Sequence, residues 1–197
     1  RLRLRLEKVS DADLRDKLIL DLSHMQMMVK EGLDLARSMD SSEELRPLDI
    51  DSLLDSICSD AGDAGHTISL NGKTGATIMA RPQALRRCLD NLIDNGIKYG
   101  QAVDVAISRE ERGNTRLDGK SVCIVIRDHG PGIPEDQQAR VFEPFYRIET
   151  SRSRETGGTG LGLTIALNIT RQHNGDLVLR NHPDGGLEIR LSLPIKS

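Results

Sequence analysis

The sequence predicts an α+β fold: a two-layer α/β sandwich with a mixed, mostly antiparallel sheet, preceded by a fragment of a helical hairpin. Helical periodicity covers residues 14–39, 50–61, 82–99 and 159–174, with Asp49 or Asp51 as the cap of the second helix. Strand-like runs occupy residues 66–71, 76–80, 103–109, 122–128, 176–181 and 187–193. Turn-rich segments separate the later strands into hairpins, which favours a layer of helices packed on one sheet.

Length and composition restrict the class of protein. A chain of 197 residues, 37% hydrophobic and 29% charged, is typical of one well-packed globular domain with a smaller appended element. The net charge of -3 gives no electrostatic reason to expect nucleic-acid binding. Cys58, Cys88 and Cys123 match no zinc or disulfide spacing, so we expect reduced core thiols in a cytosolic setting. The chain opens inside a patterned stretch, and we expect it to be part of a longer protein.

Residues 1–42 are expected to form a truncated helical dimerisation hairpin, with a turn at residues 10–13. The second helix carries apolar or small residues spaced alternately by four and three positions, at Leu18, Leu22, Met25, Val29, Gly32 and Ala36. Such a stripe predicts pairing with a second copy in a four-helix bundle. Packing on the rest of the same chain is the alternative. Residues 43–48 are expected to be a polar linker, and residues 49–197 the main domain.

The first of four motifs lies on the 82–99 helix and reads Asn91-Leu-Ile-Asp-Asn-Gly-Ile-Lys-Tyr99. Asn91, Asn95 and Lys98 share one helix face because of their spacing. Amide oxygens suit Mg²⁺, and a Lys side chain neutralises phosphate charge. The solvated polar face of an amphipathic helix is the alternative explanation.

The second motif joins an apolar strand to a glycine turn, from Val122 through Asp128-His-Gly-Pro-Gly-Ile-Pro134. A buried carboxylate at Asp128 could accept a hydrogen bond from the exocyclic amino group of adenine. Gly130 and Gly132 let the chain turn tightly against a ligand. An ordinary strand end followed by a turn would give the same pattern. We expect His129 to be exposed and without a partner.

Two further motifs follow along the chain. In Phe142-Glu-Pro-Phe-Tyr-Arg147 the aromatic residues either anchor one end of a mobile loop, with Arg147 near phosphate, or form a small satellite core. The polar segment between Arg147 and Gly157 predicts a flexible lid. In Gly157-Gly-Thr-Gly-Leu-Gly-Leu163 the glycines open a helix, where free amides and the helix dipole favour anions. This last motif is neither a Walker loop nor a dinucleotide fingerprint.

The order and spacing of the four motifs resemble the Bergerat-type ATP-binding domain shared by histidine kinases, Hsp90-type chaperones, type II topoisomerases and mismatch-repair ATPases. The resemblance covers about residues 48–197, and the Phe142–Arg147 element is similar to histidine kinases in particular. It implies ATP and Mg²⁺ as cofactors, Asn95 as the main metal ligand with Asn91 assisting, and Asn95 and Lys98 as the catalytic residues. It also implies contacts to ATP from Asn91, Asn95, Lys98, Tyr99, Asp128, Gly130, Gly132, Ile133, Phe145, Arg147, Gly158, Thr159, Gly160, Leu161, Gly162 and Leu163.

The same resemblance implies a sensor histidine kinase of a two-component system, which transfers the γ-phosphoryl of ATP to a His on the dimerisation helix. The expected partners are the receiver domain of a response regulator and a second copy of the chain. The chain would be a cytoplasmic portion of a protein anchored in the inner membrane by parts outside this sequence. Another ATPase of the same fold and a non-catalytic ATP-binding module are the alternatives.

Two positions depart from the family pattern. Gly96 stands where Ala is usual, which costs the helix up to ~1 kcal/mol. Arg81 precedes Pro82, where the family often has a capping Asp.

The phosphoacceptor is not expected within this sequence. Ser23-His24 lacks the adjacent acidic residue and the downstream Pro of the family motif, and it falls on the second helix. The opening Arg-Leu-Arg-Leu-Arg-Leu6 resembles the segment that follows the acceptor, so we expect the acceptor just before residue 1. His66, His173 and His182 receive no role. The fragment is therefore expected to bind ATP without phosphorylating itself.

Overall fold

The computed structural model describes residues 11–39, 42–111, 120–148 and 158–195. The helices are α1 (Ala12–Met39), α2 (Ile50–Asp63), α3 (Pro82–Gly100) and α4 (Gly162–Gln172). The strands are β1 (Arg46–Asp49), β2 (Thr67–Asn71), β3 (Thr77–Ala80), β4 (Ala102–Glu111), β5 (Lys120–Asp128), β6 (Asp176–Asn181) and β7 (Leu187–Pro194). The predicted first helix of the hairpin, at residues 1–10, and most of the predicted lid lie outside the described residues.

The main sheet has five strands in the order β2-β4-β5-β7-β6. β2 and β4 run parallel, whereas the other three neighbouring pairs are antiparallel. Helices α2, α3 and α4 pack together with this sheet around one core. The predicted α+β class and the mostly antiparallel sheet are therefore confirmed.

The core is built from aliphatic side chains, since the chain has no Trp and few other aromatic residues. Fully buried side chains from both layers include Leu85, Leu89, Leu92, Ile124, Ile165 and Leu191. All three cysteines are buried and unpaired, as expected. Burial raises the pKa of the Cys88 thiol to about 12 and those of Cys58 and Cys123 to about 11, so these thiols stay protonated and pack as small apolar groups.

The predicted linker contains a strand that the sequence pattern missed. β1 pairs antiparallel with β3, from Arg46 opposite Ala80 to Asp49 opposite Thr77. Pro47 is compatible with this strand because the two-stranded ribbon leaves one edge of β1 unpaired. Asp49, not Asp51, caps α2, since its side chain accepts a hydrogen bond from the backbone N–H of Ser52 at 3.1 Å. The Asp51 carboxylate instead fixes the loop that precedes β3, where it accepts hydrogen bonds from the backbone N–H groups of Thr74 and Gly75.

Helix α1 has one side packed on the rest of the chain and another side exposed. Near its C-terminal end it packs against α4, where the side chain of Gln172 donates to the carbonyl of the buried Ser38 at 2.7 Å. On the other side, the stripe residues Met25 and Val29 are each 64% exposed in the single chain. The structure thus combines packing on the same chain with an exposed apolar stripe, and the homodimer remains a prediction.

The N-terminus of α3 is capped by a residue from the linker. Arg81 occupies the N-cap position and makes no side-chain cap. The Glu43 carboxylate accepts instead from the backbone N–H groups of Gln83 at 2.8 Å and Ala84 at 3.0 Å. The Arg81 guanidinium donates to the Glu43 carbonyl at 2.7 Å. The departure from a capping Asp at position 81 is therefore compensated from 38 residues earlier in the chain.

His173 completes this contact from the C-terminal end of α4. Its Nε2 accepts from the backbone N–H of Arg81 at 2.9 Å, so the proton lies on Nδ1, which donates to the Ile169 carbonyl at 2.8 Å. Burial lowers the pKa of His173, and the nearby Arg81 charge lowers it further. His173, which received no role from its sequence context, is a neutral structural residue that joins α3 to α4.

Replacing Glu43 by Ala should lower the free energy of unfolding by about 1 kcal/mol, because two N-terminal N–H groups of α3 lose their acceptor. Urea denaturation followed by circular dichroism measures the change. Glu44→Ala is the matched control, since Glu44 is exposed and pairs with Arg46 at 3.5 Å on the protein surface. Equal losses in the two variants would contradict the assignment of Glu43 as the cap.

Candidate functional site

A cavity of about 380 Å³ opens where α1, α3, the end of β5 and the start of α4 meet, a size suited to a small ligand. The sequence-predicted site residues that line it are Asn91, Asn95, Lys98, Tyr99, Asp128, Gly132, Ile133, Arg147, Gly158, Thr159, Gly160, Gly162 and Leu163. Gly130, Phe145 and Leu161 do not line it. The four motifs, which are spread over more than seventy residues of sequence, thus converge on one cavity.

The amide face of α3 lies against the start of α4. The Asn91 amide donates to the Arg87 carbonyl at 2.8 Å, which leaves its Oδ1 directed toward Gly162. A methyl group added at Gly162 would lie 3.1 Å from that oxygen and 3.7 Å from Nδ2 of Asn95. The glycine therefore makes room for both amides beside the N-terminal turn of α4. No side chain caps this helix end at Leu161, so its backbone N–H groups remain available to an anion.

Lys98 marks the cationic end of the cavity. A side chain at Gly158, which has a φ of 127°, would overlap the Lys98 ammonium, so the glycine loop and the lysine are in direct contact. Burial lowers the pKa of Lys98 and the charge of Arg147 lowers it further, whereas Glu31 opposes both effects. Burial also raises the pKa of the neighbouring Tyr99. Two cations close together in a half-buried place are stabilised by a bound anion.

Asp128 supplies a fixed carboxylate to the cavity lining. The residue is only 7% exposed, and its Oδ1 accepts from the backbone N–H groups of Gly130 at 2.8 Å and Leu187 at 3.0 Å. These two bonds fix the carboxylate, so its second oxygen is the one that a ligand in the cavity can use. Gly100 at the end of α3 packs directly on it, because a methyl group there would lie 2.6 Å from Cβ of Asp128. Gly130 acts here through its backbone rather than by lining the cavity.

Asn181 positions the glycine turn that follows Asp128. Its Oδ1 accepts from the Ile133 N–H and its Nδ2 donates to the Ile133 carbonyl, both at 2.8 Å. Gly132 adopts a φ of 74° beneath this clamp, and a methyl group there would lie 2.7 Å from Oδ1 of Asn181. Asn181 ends β6, 48 residues after Ile133 in sequence, and no local pattern indicated it.

The expectation that His129 has no partner is wrong. Its Nε2 lies 2.8 Å from Oδ2 of Asp104, whose other oxygen accepts from the Ser69 hydroxyl at 2.6 Å. These two hydrogen bonds lower the pKa of Asp104. Pairing of β4 with β5 brings Asp104 beside the end of β5, and only that register could have revealed the contact. His129 is exposed, as expected.

Phe145 contacts the glycine loop through its backbone rather than its ring. The residue is 67% exposed and does not line the cavity, whereas its backbone N–H donates to the Gly160 carbonyl at 3.1 Å. Tyr146 takes the inward position instead: it lines the cavity, and its hydroxyl donates to Gln137 at 3.0 Å. Leu161 is buried in the core at the N-cap of α4, so it supports the loop from behind. Neither Phe145 nor Leu161 lines the cavity, and their contacts to a ligand stay a prediction.

Helix α1 supplies a wall of the cavity that sequence patterns did not indicate. Met27 and Glu31 line it, and the Thr159 hydroxyl donates to the Glu31 carboxylate. Asp94, Leu187 and Ile189 are further lining residues. The heptad-like stripe predicted that α1 pairs with a second copy, but it did not indicate that another face of α1 lines the cavity.

Within the described segments, no group of three or more His, Cys, Asp or Glu side chains is arranged to hold a metal ion. The cavity lining includes the amides of Asn91 and Asn95 and the carboxylates of Glu31, Asp94 and Asp128, and oxygens of both kinds are ligands that a hard cation takes. Of the helices in the described ranges, none has the length and apolar character needed to cross a membrane.

Comparison with known proteins identifies the family. The chain belongs to the histidine kinase-, DNA gyrase B- and HSP90-like ATPase family, whose model matches residues 80–197. The relatives that the chain matches are sensor histidine kinases of two-component signalling, and residues 80–197 correspond to their ATP-binding domain.

Three relatives illustrate the match. The sensor histidine kinase GtrS of Pseudomonas aeruginosa is 34% identical over 195 residues, which cover 98% of this chain and 38% of GtrS. The crystal structure of the ATP-binding domain of PrrB from Mycobacterium tuberculosis is 30% identical, with a TM-score of 0.61, and the match covers 78% of this chain and 99% of that domain. The structure of full-length ShkA in complex with AMPPNP is 25% identical, with a TM-score of 0.67 over 98% of this chain and 41% of ShkA. The chain spans less than half the length of the curated relatives that it matches.

Replacing Gly100 by Ala should destabilise the fold by about 1–3 kcal/mol, because the new methyl group meets Asp128 and the backbone of His129. Ligand affinity at the cavity should fall as well, since Asp128 is displaced. Urea denaturation measures the first effect. Gly62→Ala is the control: it lies in α2 with no heavy atom within 4 Å of the added methyl group, and should stabilise the fold by about 0.5–1 kcal/mol. A Gly100→Ala variant as stable as the wild type would refute the close contact.

Proposed function

We propose that this chain binds Mg²⁺-ATP in the cavity and is the catalytic portion of a two-component sensor histidine kinase. The observation that carries the proposal is that one cavity is lined both by the fixed, buried carboxylate of Asp128 and by Lys98 in contact with the glycine loop. ATP has a hydrogen-bond donor at its base and negative charge at its phosphates, so these two groups are complementary to it. The likeness to ShkA, a relative solved with AMPPNP, supports the same ligand.

Asp128 is proposed to select the base. Its Oδ1 is occupied by two backbone N–H groups, so Oδ2 accepts from the exocyclic amino group of adenine. A base that presents a carbonyl oxygen at that position would face the carboxylate with repulsion. Discrimination by a buried hydrogen-bonding group is strong, because the mismatched partner leaves it unpaired.

Lys98, Arg147 and the free backbone amides at the start of α4 are proposed to hold the phosphates. Charge pairing at Lys98 and the helix dipole of α4 act on the same anion. Gly158, Gly160 and Gly162 keep this part of the cavity free of side chains. In-line attack by a docked His would then depend mainly on positioning and electrostatic stabilisation.

The metal donors fit Mg²⁺. Nδ2 of Asn91 donates to the Arg87 carbonyl, so Oδ1 of Asn91 is directed toward Gly162, and Asn95 lies one turn along the same helix face. We propose Asn95 as the principal ligand and Asn91 as the second, with nucleotide phosphate completing the set. When bound, Mg²⁺ would neutralise phosphate charge.

The acceptor and the partners are proposed from the family. The phosphoryl group would pass to a His of the dimerisation hairpin and then to an Asp of a response-regulator receiver domain. None of the five His residues of this sequence has the acceptor motif. The exposed Met25–Val29 stripe is proposed to pair with a second copy of α1.

Asp128→Asn provides a sharp test of nucleotide binding. The Asn side chain keeps an oxygen for the two backbone N–H groups but replaces the free oxygen by a donor, so affinity for Mg²⁺-AMPPNP should fall about tenfold or more without unfolding the chain. Asn95→Ala should weaken the Mg²⁺-dependent part of binding. Titration calorimetry measures both.

The controls for this test use one substitution and one nucleotide. Asp136→Asn alters an exposed carboxylate outside the cavity and should bind as the wild type does. The analogue of inosine triphosphate, with a carbonyl in place of the amino group, should bind worse than AMPPNP to the wild type and lose that disadvantage in Asp128→Asn. Unchanged AMPPNP affinity in both Asp128→Asn and Asn95→Ala would refute the site.

Incubation of this chain with ATP labelled on the γ-phosphate should leave no acid-labile phosphate on it, because the acceptor motif is missing. Calorimetry on the same preparation first establishes that nucleotide binds. Label that appears on the wild type and disappears in His24→Gln would identify His24 as an acceptor and overturn this expectation.

A further inference from the structure

Helix α1 docks on the catalytic domain through contacts in the two turns that follow Glu31. Asp34 lies 3.5 Å from Arg87 of α3, and both side chains are about four-fifths covered, with exposures of 20% and 22%. One turn further on, Gln172 of α4 donates to the Ser38 carbonyl at 2.7 Å, and Asn168 lies 3.4 Å from the Ser38 hydroxyl. These contacts hold α1 along the α3–α4 pair, and the preceding turns of α1 then form a wall of the cavity.

Glu31 is the acidic residue that this docking places in the wall. Its carboxylate accepts the hydroxyl hydrogen of Thr159, a residue of the glycine loop. It also interacts electrostatically with Lys98, where it opposes the lowering of the lysine pKa by burial and by Arg147. A negative charge from α1 thus lies among the groups proposed to bind phosphate.

A carboxylate and a triphosphate bind the same groups at this end of the cavity. Both are anions that interact with the Lys98 ammonium and can accept from the Thr159 hydroxyl. They also repel each other at short distance in a half-buried environment. In the absence of phosphate, the Glu31 carboxylate also partly neutralises the positive charge of Lys98 and Arg147. It therefore reduces the electrostatic free energy gained when phosphate binds.

We infer that Glu31 competes with nucleotide phosphate for the cationic end of the cavity, so that docking of α1 and binding of nucleotide oppose each other. The inference rests on the proposed function, because it needs phosphate at Lys98. By thermodynamic linkage, if nucleotide binding weakens the docking of α1, docking must lower the affinity for nucleotide by the same factor.

Glu31→Gln tests the competition directly. The amide removes the charge and can still accept from Thr159, so the affinity for Mg²⁺-AMPPNP should rise about three- to tenfold at low salt, and less at high salt. Adenosine, which has no phosphate, should bind to the variant and the wild type equally. Asp21→Asn removes a carboxylate from an exposed position of the same helix, outside the cavity, and should leave both affinities unchanged.

Asp34→Asn tests whether docking brings Glu31 to the cavity. It weakens the contact to Arg87 without touching the cavity lining, and it should therefore raise AMPPNP affinity in the same direction. The double variant with Glu31→Gln should bind no more tightly than Glu31→Gln alone, because an undocked helix has no charge left to remove.

The outcomes separate the two levels of the proposal. Equal or weaker AMPPNP binding by Glu31→Gln, with adenosine and AMPPNP still bound by the wild type, would overturn the competition and leave the nucleotide site intact. An equal gain for adenosine would also overturn it, since the effect would not depend on phosphate. Failure of the wild type to bind either ligand would overturn the proposed function and this inference with it.

Discussion

The close packing of α3 on β4 and β5 is the constraint on which the site depends. At Gly96 an added methyl group would lie 2.8 Å from a methyl of Val103, and at Gly100 it would meet Asp128. Gly96, which stands where the family usually has Ala, was expected only to lower helix propensity. It also lets α3 lie close to the sheet. Because Asn91, Asn95 and Lys98 all project from this helix, one contact sets their distance from Asp128.

Local patterns were sufficient to predict the helices and the main strands, with ends correct to within a few residues. α3 and β5 carry strong periodicity and unambiguous boundaries, at Pro82 and at Asp128 respectively. α4 begins at Gly162 rather than at residue 159, because the glycines before it adopt positive φ and remain outside the helix. The convergence of the four motifs was predicted from a family resemblance, and their spacing alone did not require it.

The features that the sequence did not predict depend on contacts between segments that are distant in the chain. Glu43 on the α3 N-terminus, Asn181 on Ile133 and Asp104 on His129 each join residues more than twenty positions apart. Such pairs have no period to detect, and each member taken alone resembles an ordinary polar surface residue. β1 was missed for a related reason, since a four-residue segment containing Pro becomes a strand only when β3 lies beside it.

The cap that Glu43 provides has a consequence for any attempt to excise the catalytic domain. A fragment of this chain that starts near residue 49 would lack the carboxylate that caps the N-terminus of α3. It would also leave Arg81 without the carbonyl to which its guanidinium donates. The stable unit therefore extends back into the connector, and a fragment that begins before residue 43 would keep both contacts.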